Sequence, residues 1–223
     1  MPKPNQSKRT YVLWGSVLCG FYVFLALLVH NRVLISIDLQ TTLLLQQIIP
    51  RAADLPFSIL SLLGSVEITA AIFVVLVILA PPSIRVPLVL MFALVAVLEL
   101  QGKTMIAQPG PPDELSRYVF WFGTPTGRID TPYSFPSGHS ARACFLGALS
   151  IMLVAQSQRS ARTKNAMTAL LLLAGAAMLV SRVYLGDHWV TDVVGGALLG
   201  AGLLLFACLT DWQRGSRIKS VSL

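Results

Sequence analysis

Six apolar runs, at about 11–30, 57–80, 84–102, 139–156, 166–182 and 189–209, constrain this chain more than any other feature. Each is close to the roughly 20 residues that an α-helix needs to cross a bilayer. In lipid every backbone N–H and C=O must be satisfied within the protein, which a helix achieves on its own. The chain is 55% hydrophobic and 12% charged, with a mean hydropathy of +0.71. That composition fits a compact multi-span membrane protein and is too apolar for an ordinary soluble domain. The expected fold is all-α: a polytopic bundle of six transmembrane helices with outward-facing amphipathic loop segments. A single domain over 1–223 is expected, with short tails at about 1–10 and 211–223. No small-residue cleavage site follows the first run, which reads as a retained helix and not as a signal peptide.

The net charge of +7 raises the question of a nucleic-acid partner, but the positions of the charges point to topology. Lys3, Lys8, Arg9, Arg85, Arg159, Arg162, Lys164, Arg214, Arg217 and Lys219 all fall on one side if the spans alternate. Arg32, Arg51, Lys103, Arg117, Arg128 and Arg182 fall on the other, dispersed through longer loops. The positive-inside rule then puts both termini in the cytoplasm. The partner implied is the bilayer, with some attraction to anionic headgroups, and no nucleic acid. Cys19, Cys144 and Cys208 lie within apolar runs without paired spacing. They read as small packing residues, and neither a disulfide framework nor a metal site follows.

Two outward loops are long. In 36-SIDLQTTLLLQQII-49, leucines and isoleucines recur at helical spacing among polar residues, as in a helix lying along the outer membrane surface. The second loop, 103–137, contains 108-QPGPP-112 and the aromatic run 118-YVFWF-122. Two readings of that run are open: a headgroup-level anchoring belt, or a greasy wall beside a lipid substrate. Span six carries Gly195, Gly196, Gly200 and Gly202, small residues that let helix backbones approach closely in lipid.

The unusual polar residues all come out at the outer ends of four different helices. Lys103 ends span three; Ser137, Gly138 and His139 begin span four; Arg182 ends span five; His188 begins span six. His188 and Asp192 are four apart, a spacing that shares a helix face. A carboxylate there fixes the imidazole tautomer and leaves the other nitrogen nucleophilic. Pro136-Ser137-Gly138-His139 is a turn running into a helix, whose free N–H groups and dipole attract an anion. Lys103 and Arg182 add cationic charge, and arginine can grip two phosphate oxygens at once. Together these residues describe a site for phosphoryl transfer.

The arrangement resembles the type-2 phosphatidic acid phosphatase family of metal-independent lipid phosphatases. Its motifs are Lys-x6-Arg-Pro, Pro-Ser-Gly-His and Ser-Arg-x5-His-x3-Asp. Here 136-PSGH-139 and 181-SRVYLGDHWVTD-192 are complete, whereas 103-KTMIAQPGP-111 has Gly110 where the family has arginine. Arg142, one helical turn after His139, is a substitute for that arginine or a snorkelling helix-end cation; Arg117 and Arg128 are further candidates. The resemblance implies His188 as nucleophile through a phosphohistidine, Asp192 as its orienter and His139 as the acid for the leaving oxygen. Lys103, Ser137, Gly138, Arg182 and, as a substitute, Arg142 bind phosphate. It implies no cofactor and no metal, and an activity that resists chelators and is blocked by vanadate.

The function expected from this is an outward-facing lipid phosphate or diphosphate phosphatase, with a polyprenyl diphosphate such as undecaprenyl diphosphate as leading substrate. Phosphatidic acid or phosphatidylglycerol phosphate hydrolysis, phosphotransfer to another acceptor, and non-catalytic lipid binding or translocation are the alternatives. Glu99, four residues before Lys103, reads as its ion-pair partner, and Asp187 as a cap for span six. Glu67 reads as an intramembrane carboxylate that either pairs with a cation or faces a wet crevice. His30, at the end of span one, reads as interfacial.

Overall fold

The computed structural model describes residues 4–119 and 131–209. Residues 120–122 of the aromatic run, Lys3, Arg128, Arg214, Arg217 and Lys219 lie outside the described residues. Within them the chain is helical: α1 (Pro4–His30), α2 (Ile35–Ile48), α3 (Asp54–Leu62), α4 (Val66–Leu79), α5 (Pro82–Met105), α6 (Gly138–Gln156), α7 (Ala161–Tyr184) and α8 (Val190–Ala207). Two single-turn 3-10 segments, Arg51–Ala53 and Asp113–Leu115, sit in the connections. Five helices, α1, α5, α6, α7 and α8, are long and apolar enough to cross a membrane. The protein is thus a multi-pass membrane protein.

The second span departs from the expected continuous helix over 57–80. It is broken, with the segments Arg51–Leu62 and Val66–Leu79 bent by 55°. Ser65 leaves the helical region (φ −61°, ψ 157°) and its hydroxyl accepts from the Ile68 N–H at 3.4 Å, starting a new helix. Fourteen residues of α4 reach only about 21 Å, short of the ~30 Å hydrocarbon layer. Together with Arg51–Leu62, α4 is long and apolar enough for one span. Glu67 is exposed in the first turn of α4, where the helix dipole favours an anion.

The axis of the bundle is α8, which is packed by α1, α5, α6 and α7. Its glycines make that possible. A Cβ at Gly200 would overlap the Ala141 carbonyl oxygen of α6, and one at Gly196 would overlap that of Ser137. On other faces, Gly195 carries the Phe135 ring and Gly202 lies against Cys19 of α1. Farther along the bundle, Phe73, Phe92 and Phe145 join α4, α5 and α6, with ring centroids 4.0, 5.2 and 6.2 Å apart. Cys19, Cys144 and Cys208 form no disulfide, and Cys208 is buried.

Helix α2 is amphipathic in an inverted sense. Asp38, Thr42 and Gln46, spaced by four, turn towards the protein, while Ile35, Ile37, Leu39, Leu43, Leu44 and Ile48 are exposed. Gln46 donates to the carbonyls of Leu115 (2.7 Å) and Tyr184 (2.9 Å). Asp38 accepts from the Thr191 N–H at 3.0 Å and from its hydroxyl at 2.9 Å. A helix with polar contacts inward and an apolar face outward suits a lipid surround.

Two outcomes test this packing. Gly200→Ala forces α6 from α8 and is expected to cost about 1–3 kcal/mol, lowering Tm in detergent. Gly147→Ala, with no neighbour within 4 Å of the new Cβ, should hold or raise Tm; equal shifts for both would refute the close-approach account. Burial pushes the Asp38 carboxyl up to about 6, overcoming the hydrogen bonds from Thr191 and Gln108 that pull it down. The folded state therefore binds the extra proton, and its stability relative to Asp38→Asn should fall as pH rises from about 4 to about 6. Thermal melts of both proteins across that range check the sign.

Candidate active site

The start of α8 supplies the expected histidine–aspartate pair, though not as two residues on one helix face. His188 precedes the N-cap, Trp189. Asp192, in the first turn, reaches back: its Oδ2 accepts from the Trp189 N–H at 3.0 Å and lies 3.3 Å from His188 Nδ1. One carboxylate thus caps the helix and orients the imidazole. Asp192 is fully buried, and its Oδ1 accepts from Gln108 Nε2 at 3.0 Å. With the carboxylate at Nδ1, the proton is assigned there and Nε2 keeps a lone pair.

Asp187 does not cap α8. Its carboxylate pairs with Arg182 and lies 3.6 Å from His188 Nε2. Gly186, at φ +69°, makes the turn that allows this, and Leu115 closes over it so that a side chain would overlap. Arg182 is 2% exposed. It also donates to Ser61 Oγ and, at 2.6 Å, to Tyr118 Oη, with the Tyr118 ring 5.9 Å beneath it.

The Pro-Ser-Gly-His turn joins the pair through the backbone, the Ser137 N–H donating to the Asp192 carbonyl at 2.9 Å. Ser137 is the N-cap of α6 and accepts from the Ser140 N–H at 3.4 Å. The next residue, Gly138, has no side chain because the Glu99 carboxylate occupies that space. His139 packs on Gly64, where a Cβ would come within 2.5 Å of its ring. Arg182, Arg142, His188 and Lys103 all act on it electrostatically. The broken second span and the helix tips therefore meet around this imidazole.

Glu99 pairs with Lys103 at 2.9 Å, as the spacing predicts, and also with Arg142 at 2.8 Å. Arg142 donates further to the Gly64 carbonyl at 3.3 Å. A single carboxylate thus draws an α5 lysine and an α6 arginine together beside the first turn of α6. Arg117 is held elsewhere, donating to the Gln46 carbonyl at 2.8 Å and to Tyr184 Oη at 3.1 Å. Gly110 is exposed, and a Cβ there would meet only Ser134, at 3.8 Å.

Sequence reasoning missed Gln108, Asp38, Thr191, Ser61 and Gly64, and read Tyr118 only as part of an aromatic belt or lipid-side wall. Their partners lie tens of residues away or more, and none stands in a recognisable spacing; only the helix break at Gly64-Ser65 carried a local cue.

The chain resembles known proteins in sequence and fold. Residues 84–216 match the PAP2 superfamily. It is 40% identical over 78 residues to phosphatidylglycerophosphatase B of Bacillus subtilis, covering 34% of this chain and 37% of that protein. It is 33% identical over 122 residues to an undecaprenyl-diphosphatase of Sulfolobus acidocaldarius, covering 53% and 51%. The chain thus spans about half or less of these relatives. The crystal structure of a transmembrane PAP2-type phosphatidylglycerolphosphate phosphatase from Bacillus subtilis superimposes with a TM-score of 0.67 at 22% identity, over 94% of this chain and 97% of that one. That of Aquifex aeolicus LpxE gives 0.58 at 23% identity, over 77% and 94%; both share its fold. With more than half of its length matched, including both intact motifs, the chain belongs to the PAP2 superfamily.

Proposed function

We propose that the protein is a metal-independent lipid phosphatase working through a phosphohistidine, as a single six-span domain whose site opens on the extracytoplasmic face. The observation that carries this is the His188–Asp192 pair, with Nε2 on the side of the Asp187 carboxylate that Arg182 holds. In the first step Nε2 attacks phosphorus, the P–N bond forms and the P–O bond to the leaving group breaks. His139 gives its proton to the departing oxygen. Water then attacks phosphorus, His139 takes the water's proton, and the P–N electron pair returns to Nε2. Lys103, Arg182, Arg142, Ser137 and the backbone at Gly138 hold the phosphoryl oxygens as charge builds on them.

Arg142 takes the part of the arginine missing at Gly110. Its support is the Glu99 carboxylate, which Arg142 shares with Lys103. The incoming phosphate replaces Glu99 and Asp187 as the partner of these cations.

The substrate is a phosphorylated lipid, in first place a polyprenyl diphosphate such as undecaprenyl diphosphate. Support comes from the Sulfolobus relative, the longer of the two sequence matches. Phosphatidylglycerol phosphate is the second reading, favoured by the more identical Bacillus match. Phosphate release from a panel of lipid mono- and diphosphates separates them: faster turnover of the glycerophospholipid would displace the polyprenyl reading. In the same assay His188→Ala should abolish release, and normal turnover would rule out the assignment.

Arg142→Ala should lower kcat/KM on the order of 10²-fold, and adding Gly110→Arg should recover part of the loss. Wild-type activity in Arg142→Ala would end the substitution idea.

A further inference from the structure

Asp38 is 2% exposed although it stands on a helix whose outer face is open. Both of its oxygens bind Thr191, the residue before Asp192: Oδ1 takes the backbone N–H at 3.0 Å and Oδ2 the hydroxyl at 2.9 Å. Gln108 Nε2 then reaches Thr191 Oγ1 at 2.9 Å, Asp192 Oδ1 at 3.0 Å and Asp38 Oδ2 at 3.5 Å. A buried chain of side chains therefore runs from α2 through Thr191 and Gln108 to Asp192, and ends at His188 Nδ1.

A helix cap alone would not require this arrangement. Capping α8 needs only an acceptor for the free N–H of Thr191, which Oδ1 supplies. The second oxygen and the shared amide go further, joining two buried carboxylates that would otherwise repel and whose burial is costly. Polar groups so connected hold one another's orientation, and removing one loosens the rest.

We propose that Asp38 is a positioning residue for the reaction: through Thr191 and Gln108 it fixes Asp192, and through Asp192 the direction of the His188 imidazole. This rests on the reading of His188 as nucleophile. Asp38 touches no reacting atom, so its removal should lower kcat and leave lipid binding intact.

The test compares wild type with Asp38→Ala, Asp38→Asn, Gln108→Ala, the Asp38→Ala/Gln108→Ala double variant and His188→Ala. Each is assayed as full-length protein in detergent micelles on a lipid diphosphate, with the folded fraction taken from size exclusion and thermal melts. Per folded molecule, Asp38→Ala should lose roughly 10–100-fold in kcat, the scale of a displaced catalytic group, with KM within about twofold. Asp38→Asn keeps an acceptor for the Thr191 N–H and should recover most of that loss. The double variant should lose little more than the worse single variant, the mark of one coupled network. Wild-type kcat per folded molecule in Asp38→Ala overturns the inference, as do losses that multiply in the double variant. Turnover in His188→Ala overturns the site reading itself, whereas an inactive His188→Ala beside a fully active Asp38→Ala overturns only the role of Asp38.

Discussion

The contact on which the rest depends is the close approach of α6 to the first turns of α8. Gly196 and Gly200 let the carbonyls of Ser137 and Ala141 sit where side chains would otherwise be. The Ser137 N–H can then reach the Asp192 carbonyl at 2.9 Å. Two helix N-termini are so brought side by side, and with them the positive ends of their dipoles. Four carboxylates, those of Glu99, Asp187, Asp192 and Asp38, gather around that paired start.

The carboxylates explain how so many cations persist there. Lys103 and Arg142 share Glu99, and Arg182 holds Asp187. Buried or half-buried charges in a membrane protein are costly unless paired. The site at rest is therefore close to internally neutralised, and its cations are already aimed. In the proposed reaction a phosphoryl group, with more charge than a carboxylate and more oxygens to offer, takes their place.

Helices that line the lipid also build the site. The break between α3 and α4 turns the Gly64 carbonyl to Arg142 and leaves room for His139; a straight helix would present neither. The inward polar stripe of α2 reaches the pair at α8 while its apolar face stays outward. The geometry of the candidate site is thereby fastened to these helices.

Much of this was legible in the sequence because it is local. Apolar run lengths identified the crossing helices, since lipid forces backbone pairing within each helix. The spacing from His188 to Asp192, and from Glu99 to Lys103, foretold contacts that one turn of backbone can make. Spacing misjudged the means for His188, which stands before the helix and is reached by a capping carboxylate. It also misjudged Asp187, whose side chain follows Arg182 and not the helix start. The meeting of Gly64 with His139, the recruitment of Arg142 by Glu99, and the chain from Asp38 through Gln108 to Asp192 belong to the tertiary structure alone. Each joins residues many tens of positions apart, and such contacts are decided by how helices pack, which no local spacing records.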